Sequence, residues 1–234
     1  MKIISIIGLI LFLVGCQQER ECNLSEMLFA KPRNSNHIVD IENLWEYSDS
    51  MERVICKKGL NGLFLKVDNL YLSYSPVDLL NKCSSVTYCG PLKKGDRIEV
   101  LLNRENVVLF EGEVVAMEDL DSLFQMIYMN LEQKSEYIMK PSKSVITLKW
   151  DIEASHQEVK AIIKKLVKGY TSSIRSLHSI SNSATAICDS VQINKERLAK
   201  EYPFRLSLHF GTHFTLGGRV PPPPPPPPFD LEVN

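Results

Sequence analysis

The sequence lacks a long apolar run and a cluster of basic residues, and both absences narrow the functions it can have. Its longest apolar run, residues 3–14, is followed by the polar residues 17–20. A membrane-spanning helix needs roughly 20 apolar residues, so this run is too short to predict one. Lysine and arginine total 27 against 28 aspartates and glutamates, a formal net charge of −1. A near-neutral chain without a basic run argues against nucleic acid as a partner.

Metal-binding and catalytic patterns are also missing. The six cysteines form no CxxC motif and no His/Cys pair with zinc spacing, so we predict no metal site and no cofactor. His209 and His213 would lie about 13 Å apart in a strand, too far for one metal ion. The sequence has no G-x-S-x-G motif, and its histidines have no recognisable catalytic context. We therefore expect a protein that is not an enzyme.

Two further patterns have simpler explanations than a site. Residues 90–95 have the glycine spacing of a phosphate-binding loop, but Asp96-Arg97 follows where Lys-Ser or Lys-Thr is needed. The carboxylate pairs Asp40/Glu42 and Asp119/Asp121 lie where a solvated face or a helix dipole accounts for them. Neither pattern predicts catalysis.

The first 16 residues have the pattern of an export signal. Lys2 precedes the apolar run, and Gly15 and Cys16 follow it. The segment Leu13-Val14-Gly15-Cys16 resembles the lipobox of bacterial lipoproteins, which implies cleavage before Cys16 and acylation of its thiol. Two or three acyl chains would hold the protein stably on a membrane. Two alternatives stay open: Cys16 is a disulfide cysteine behind a conventional signal, or residues 1–15 are an uncleaved anchor.

The lipobox predicts a lipid-anchored protein of the bacterial cell envelope, on the periplasmic or the surface side of the outer membrane. In that oxidising compartment Cys83 and Cys89 could close a small loop, and Cys22 could pair with Cys56. Cys188 would then be left over. Buried free thiols are the alternative.

The chain divides into regions of different composition. We predict a signal peptide (1–15), a polar lipidated tether (16–36), a β-rich region (37–95), an α+β module (96–177), a further strand and helix region (178–220) and a polyproline tail (221–234). In the β-rich region, residues 63–67 and 70–74 flank Asp68-Asn69 as in a hairpin. Ser75-Pro76 then suits the start of a short helix.

The module predicts the order strand, strand, helix, strand, helix, strand. Residues 98–102 and 107–110 predict paired strands, and 145–150 predict a third. Apolar residues at i, i+3, i+4, i+7, i+8 and i+11 predict two amphipathic helices, with stripes Leu120, Leu123, Phe124, Ile127, Tyr128, Leu131 and Val159, Ile162, Ile163, Leu166, Val167, Tyr170. A capping box at 155–158 begins the second helix, and Gly169 marks its end. Residues 172–177 would be a closing strand parallel to 145–150, in a small mixed sheet of the α+β class.

This module resembles the periplasmic domain of ExbD/TolR biopolymer-transport proteins over about a third of the chain. The matching positions are Ile98, Gly112, Leu120, Leu123, Val145, Leu148, Asp151, Val159, Ile163, Leu166 and Gly169. The resemblance implies binding, either dimerisation through sheet edges or contact with an envelope protein or peptidoglycan. Members of that family also carry a membrane-spanning helix with an aspartate that takes part in proton flow, and no such pattern is present here.

The predicted function is therefore that of a non-catalytic envelope lipoprotein. It would present the module for protein or cell-wall binding, as an accessory of a biopolymer-transport complex. The alternative is a surface-exposed lipoprotein that binds an external ligand, because the polar leader 17–21 is of the type that some lipoproteins use for outward export.

The C-terminal part of the chain carries weaker signals. Residues 194–202 predict a short helix that Pro203 ends, and the alternation over 204–210 predicts a strand. The eight prolines 221–228 predict a polyproline II rod about 25 Å long. Residues 229–234 alternate like an edge-adding strand or a docking peptide, with a disordered terminus as the alternative.

Overall fold

The computed structural model describes residues 23–32, 37–44, 63–76, 96–130, 137–138, 140–177 and 184–209. These residues form a mixed sheet and helices of the α+β class, as predicted. The strands are β1 His37–Asp40, β2 Leu63–Val67, β3 Leu70–Pro76, β4 Arg97–Leu102, β5 Val108–Phe110, β6 Glu113–Val115, β7 Val145–Trp150 and β8 Leu206–His209. The helices are α1 Leu24–Leu28, α2 Leu120–Tyr128, α3 His156–Leu177 and α4 Ala184–Glu201.

The strands form one sheet in the order β1-β2-β3-β8-β7-β4-β5-β6. Its four central strands, β3, β8, β7 and β4, run parallel. β2 and β5 run antiparallel to their central neighbours, and β1 and β6 complete the two edges. β8 joins the hairpin β2–β3 to the strands of the predicted module, so strands on both sides of residue 95 share one sheet.

The core contains the inward-facing residues of the sheet and the apolar stripes of α2 and α3. Alternate residues of the central strands are buried, among them Ile98, Val100, Leu102, Ile146, Leu148 and Trp150. Phe124 on α2 and Ile163 on α3 belong to the same buried cluster. Because each such side chain stabilises the fold by about 1.5–3 kcal/mol, the two stripes account for much of its stability.

Elements with a strong local pattern are confirmed. β2 and β3 form the predicted antiparallel hairpin, with Asp68 at a positive φ of 52° in its turn. β4 pairs with β5, and β7 occupies residues 145–150. α2 follows a 3-10 turn at Met117–Asp119 and ends at Tyr128, and Leu131 lies outside the described residues.

The predicted closing strand at 172–177 is wrong, because α3 continues through Gly169 to Leu177. Two serines of this segment donate their hydroxyls back along the helix, Ser173 to the Gly169 carbonyl oxygen and Ser176 to that of Ser172. Ile174 extends the buried stripe of the same helix face. The parallel neighbours of β7 are therefore β4 and β8.

Gly169 serves close packing instead of ending the helix. A Cβ atom at this position would lie 2.5 Å from the Asp121 carbonyl oxygen and 2.9 Å from Cδ1 of Phe124. Only glycine lets α2 approach α3 this closely.

Four smaller predictions are corrected. Ser75 and Pro76 continue β3 because they pair with β8, and the residues that follow lie outside the described ranges. In the predicted capping box, the Glu158 carboxylate would accept a hydrogen bond from the Ser155 amide. That amide instead donates to Asn106 Oδ1 at 2.9 Å, in the turn before β5. α4 begins ten residues before the predicted 194, at Ala184. Residues 23–32, expected in the tether, include α1 and bury Leu24 in the core.

Candidate functional site

One wall of the candidate site is the segment that follows α1. The Asn23 side chain caps α1 by accepting a hydrogen bond from the Glu26 amide. Phe29 is buried at the end of α1, and its carbonyl oxygen accepts a hydrogen bond from the Tyr71 amide at 2.9 Å. The chain after Phe29 therefore lies beside the beginning of β3.

The opposite wall consists of the second half of α4 and the residues that lead into β8. Lys195 on α4 donates from Nζ to the Met27 carbonyl oxygen at 2.9 Å, which ties the two walls together. Between them lies a cavity of about 710 Å³, lined by Met27, Leu28, Phe29, Ala30, Lys31, Pro32, Phe64, Tyr71, Ser73, Tyr170, Lys195, Leu198, Ala199, Pro203, Phe204 and Arg205. This volume is in the range of ligand and peptide sites. We call this cavity the aromatic groove.

Three aromatic rings form the floor of the aromatic groove. The ring centroids of Phe29 and Phe204 lie 5.2 Å apart, as do those of Tyr170 and Phe204, and Phe29 lies 5.6 Å from Tyr170. All three pairs are tilted or edge to face, the arrangement that the ring quadrupoles favour. The floor is therefore a fixed cluster of differently oriented rings, in which Phe29 and Tyr170 are buried and Phe204 is half-buried.

Two tyrosine hydroxyls fix the residues that lead into β8. Tyr170 donates to the Tyr202 carbonyl oxygen at 2.7 Å, and Tyr128 donates to that of Pro203 at 3.2 Å. Burial raises the pKa of both hydroxyls well above the ordinary tyrosine value. Both therefore stay protonated donors at neutral pH.

The charge of the aromatic groove is positive. Lys31 and Arg205 are exposed, and Lys195 is half-buried between the walls. The lining residues that the structure describes include no aspartate, glutamate or histidine. This arrangement can hold a ligand that combines apolar groups with carboxylates, because apolar surface fills the floor and charge-assisted hydrogen bonds reach the cations.

The sequence-predicted cysteine sites cannot be compared with this geometry. Cys16, proposed for lipidation, and the disulfide candidates Cys22, Cys56, Cys83 and Cys89 lie outside the described residues. The histidine pair is only half described, with His209 on β8 and His213 beyond it.

Three of the four acidic residues weighed as a possible site form ion pairs, and the fourth, Asp119, immediately precedes α2. Asp40 accepts from Lys66 Nζ at 2.9 Å, and this hydrogen bond lowers the pKa of the Asp40 carboxyl. Glu42 accepts from Lys160 at 2.6 Å. Asp121 contacts Lys168 Nζ at 2.5 Å. These contacts connect β1 to β2, the 3-10 turn Ile41–Asn43 to α3, and α2 to α3 at the surface, which is a structural role.

Sequence reasoning missed the residues of the aromatic groove. Its floor combines residue 29, a position inside a helix and a position just before a strand, and no local pattern connects them. The one available signal was Met27-Leu28-Phe29, the apolar exception in an otherwise polar stretch.

Metal-binding and membrane-spanning features are absent from the part of the chain that the structure describes. There, histidine, cysteine, aspartate and glutamate side chains form no group of three or more that could hold a metal ion. Within the same ranges, every helix is too short or too polar to cross a membrane.

No family model matches the chain, and no match was found among curated proteins.

Proposed function

We propose that this protein is a non-catalytic lipoprotein of the bacterial cell envelope that binds a protein partner through the aromatic groove. The observation that supports binding is the lining of this groove, an aromatic floor beside Lys31, Lys195 and Arg205. Grooves of this kind suit a peptide with proline or apolar side chains and carboxylates. An acylated Cys16 would hold the protein on the membrane, where such a partner is accessible.

The resemblance of residues 97–176 to the ExbD/TolR domain supports a more specific role. The protein would then be an accessory of a biopolymer-transport complex, with an envelope protein or peptidoglycan as its partner. The sheet ends in β1 and β6, each paired on one side only among the described strands. Val114 on β6 is 72% exposed. An edge strand of this kind could also pair with a second copy, so a homodimer is part of the proposal.

Charge reversal in the aromatic groove tests the binding function. Envelopes of cells that carry the wild-type protein are crosslinked, and the proteins captured with it are identified by mass spectrometry. The double variant Lys31→Glu with Arg205→Glu should lose a captured protein that the wild type retains. Lys143→Glu is the matched control, because Lys143 is exposed but does not line the groove. Equal capture by all three proteins would contradict the proposal.

Anchoring and location are tested separately. Mass spectrometry of the native product should find an N-terminal acylated Cys16, and an intact Met1 or an unmodified Cys16 thiol would refute the lipoprotein assignment. Protease treatment of whole cells distinguishes the two locations. Protection supports a periplasmic accessory, whereas digestion supports the alternative, a surface lipoprotein that binds an external ligand, for which the polar leader 17–21 is the motivation.

A further inference from the structure

We propose that the aromatic groove is occupied by the C-terminal segment of the same chain, residues 221–234, which thereby competes with the partner. This inference rests on the proposed function, since it takes the aromatic groove to be the binding site. Two observations motivate it. The groove is lined by Phe29, Tyr170 and Phe204, and the same chain carries eight prolines followed by Phe-Asp-Leu-Glu-Val-Asn.

The proline run has few other ways to bind. Proline has no backbone amide hydrogen, so residues 221–228 cannot pair with a strand edge through their own donors. Polyproline II segments instead place their rings against aromatic side chains, and they lose little conformational entropy because the helix is already formed. Phe204, which is half-buried, and the exposed edges of the buried Phe29 and Tyr170 line one cavity, with ring centroids 5.2–5.6 Å apart.

The charges of the two parts are complementary. Lys31, Lys195 and Arg205 line the groove, and its described lining has no acidic residue. The segment that follows the prolines contains Asp230 and Glu232 and no basic residue. With the prolines on the aromatic floor, the carboxylates of Asp230 and Glu232 would follow directly and could pair with the cations that line the groove.

The chain between β8 and the prolines is long enough to allow this. β8 ends at His209, and Arg205 at the groove lies just before its first residue, Leu206. From His209 back along β8 to Arg205 the distance is only about 13 Å, at 3.3 Å per residue. Residues 210–220 can span about 36 Å when extended. Because this connection is short, the effective concentration of the segment at its own groove would be in the millimolar range.

A photo-crosslinker placed at Phe229 of the full-length chain tests the proposal. We expect crosslinks within a single chain to residues 24–32 or 195–205, identified by mass spectrometry of the monomer and unchanged on dilution. Lys31→Glu with Arg205→Glu should lower their yield about fivefold by reversing two attractive pairs. Adding Asp230→Lys with Glu232→Lys should restore the yield, and Lys143→Glu alone should leave it unchanged.

The inference is overturned if the crosslinks fall elsewhere or ignore the charge reversal. It is also overturned if they join two chains and fade on dilution, which would assign the groove to the tail of a second copy. The circular dichroism of each variant is recorded to confirm that it is folded. Failure of this inference can be distinguished from failure of the proposed function. If the charge-reversed variant loses its captured partner but Phe229 of the wild type forms no crosslink to the groove, the binding function is supported and only the tail inference is wrong.

Discussion

Gly169→Ala should destabilise this protein, although the same change stabilises most helices. In an open helix interior alanine is favoured over glycine by about 1 kcal/mol. At residue 169 the new Cβ atom would meet the Asp121 carbonyl oxygen at 2.5 Å, whereas ordinary contacts begin at 3.4 Å. α2 would therefore have to move away from α3 by about 1 Å.

The cost of that movement follows from what joins the two helices. Asp121 on α2 forms an ion pair with Lys168 on α3, and Phe124 packs in the same buried cluster as the apolar stripe of α3. Forcing an extra carbon into such a packed contact costs about 1–3 kcal/mol. Against a gain of about 1 kcal/mol in helix propensity, we expect a net loss of up to about 2 kcal/mol.

Urea unfolding followed by the fluorescence of the buried Trp150 measures this loss. A domain of this size should also lose about 2–4 °C in melting temperature for each kcal/mol. Gly169→Val should lose more, because it adds a larger side chain at the same contact. Gln157→Ala on the exposed face of α3 should change stability by less than about 0.5 kcal/mol. An alanine variant as stable as the wild type, or more stable, would refute the close-approach explanation.

Three further predictions concern the core, the α2–α3 ion pair and the groove floor. Ile163→Ala should lower the free energy of unfolding, measured in urea, by about 2–5 kcal/mol, because Ile163 is fully buried. A decrease below about 1 kcal/mol would contradict that burial. Burial raises the pKa of Asp121, but Lys168 and Lys165 lower it more, so it lies below the ordinary value. Its favourable contribution is then complete above about pH 4 and lost as the pH falls through the folded-state pKa. Asp121→Asn should therefore be less stable than the wild type at pH 7 by up to about 1 kcal/mol. The difference in free energy of unfolding should disappear as the pH falls below the folded-state pKa, and a difference that stays constant would exclude the ionised carboxylate as its cause. Tyr170→Phe keeps the aromatic floor but removes the hydrogen bond to Tyr202, so it should cost about 1 kcal/mol in thermal unfolding, and no change would mean that the bond contributes nothing.

Elements whose residues interact with near neighbours could be predicted. The hairpin at 63–76, the strand at 145–150 and the stripe 159–170 follow from alternation, turn residues and helical spacing, each a property of a few adjacent residues. The errors came where a distant part of the chain decided the outcome. Pro76 extends a strand because β8 lies beside it, and residues 172–177 stay helical because Ile174 continues the buried face of α3.

The candidate site also depends on contacts between distant parts of the chain. Its floor brings together residues 29, 170 and 204, which no period or motif relates. The sequence also does not indicate that Lys195 contacts the Met27 carbonyl oxygen, because a lysine on a helix is usually solvated. Only the packing of α1 against α3 and α4 creates the cavity.

By itself, the sequence determined the α+β class, the amphipathic helices and most strands, because these depend on backbone preferences and on which side of an element is apolar. The lipobox-like pattern at 13–16 and the proline run at 221–228 are also visible in the sequence alone, because they are defined by residue type and order. The tertiary structure alone decided the strand order with β8 at the centre, the uninterrupted α3 and the aromatic groove. Each of these depends on free energy gained between residues far apart in the chain, and local patterns contain no information about those contacts.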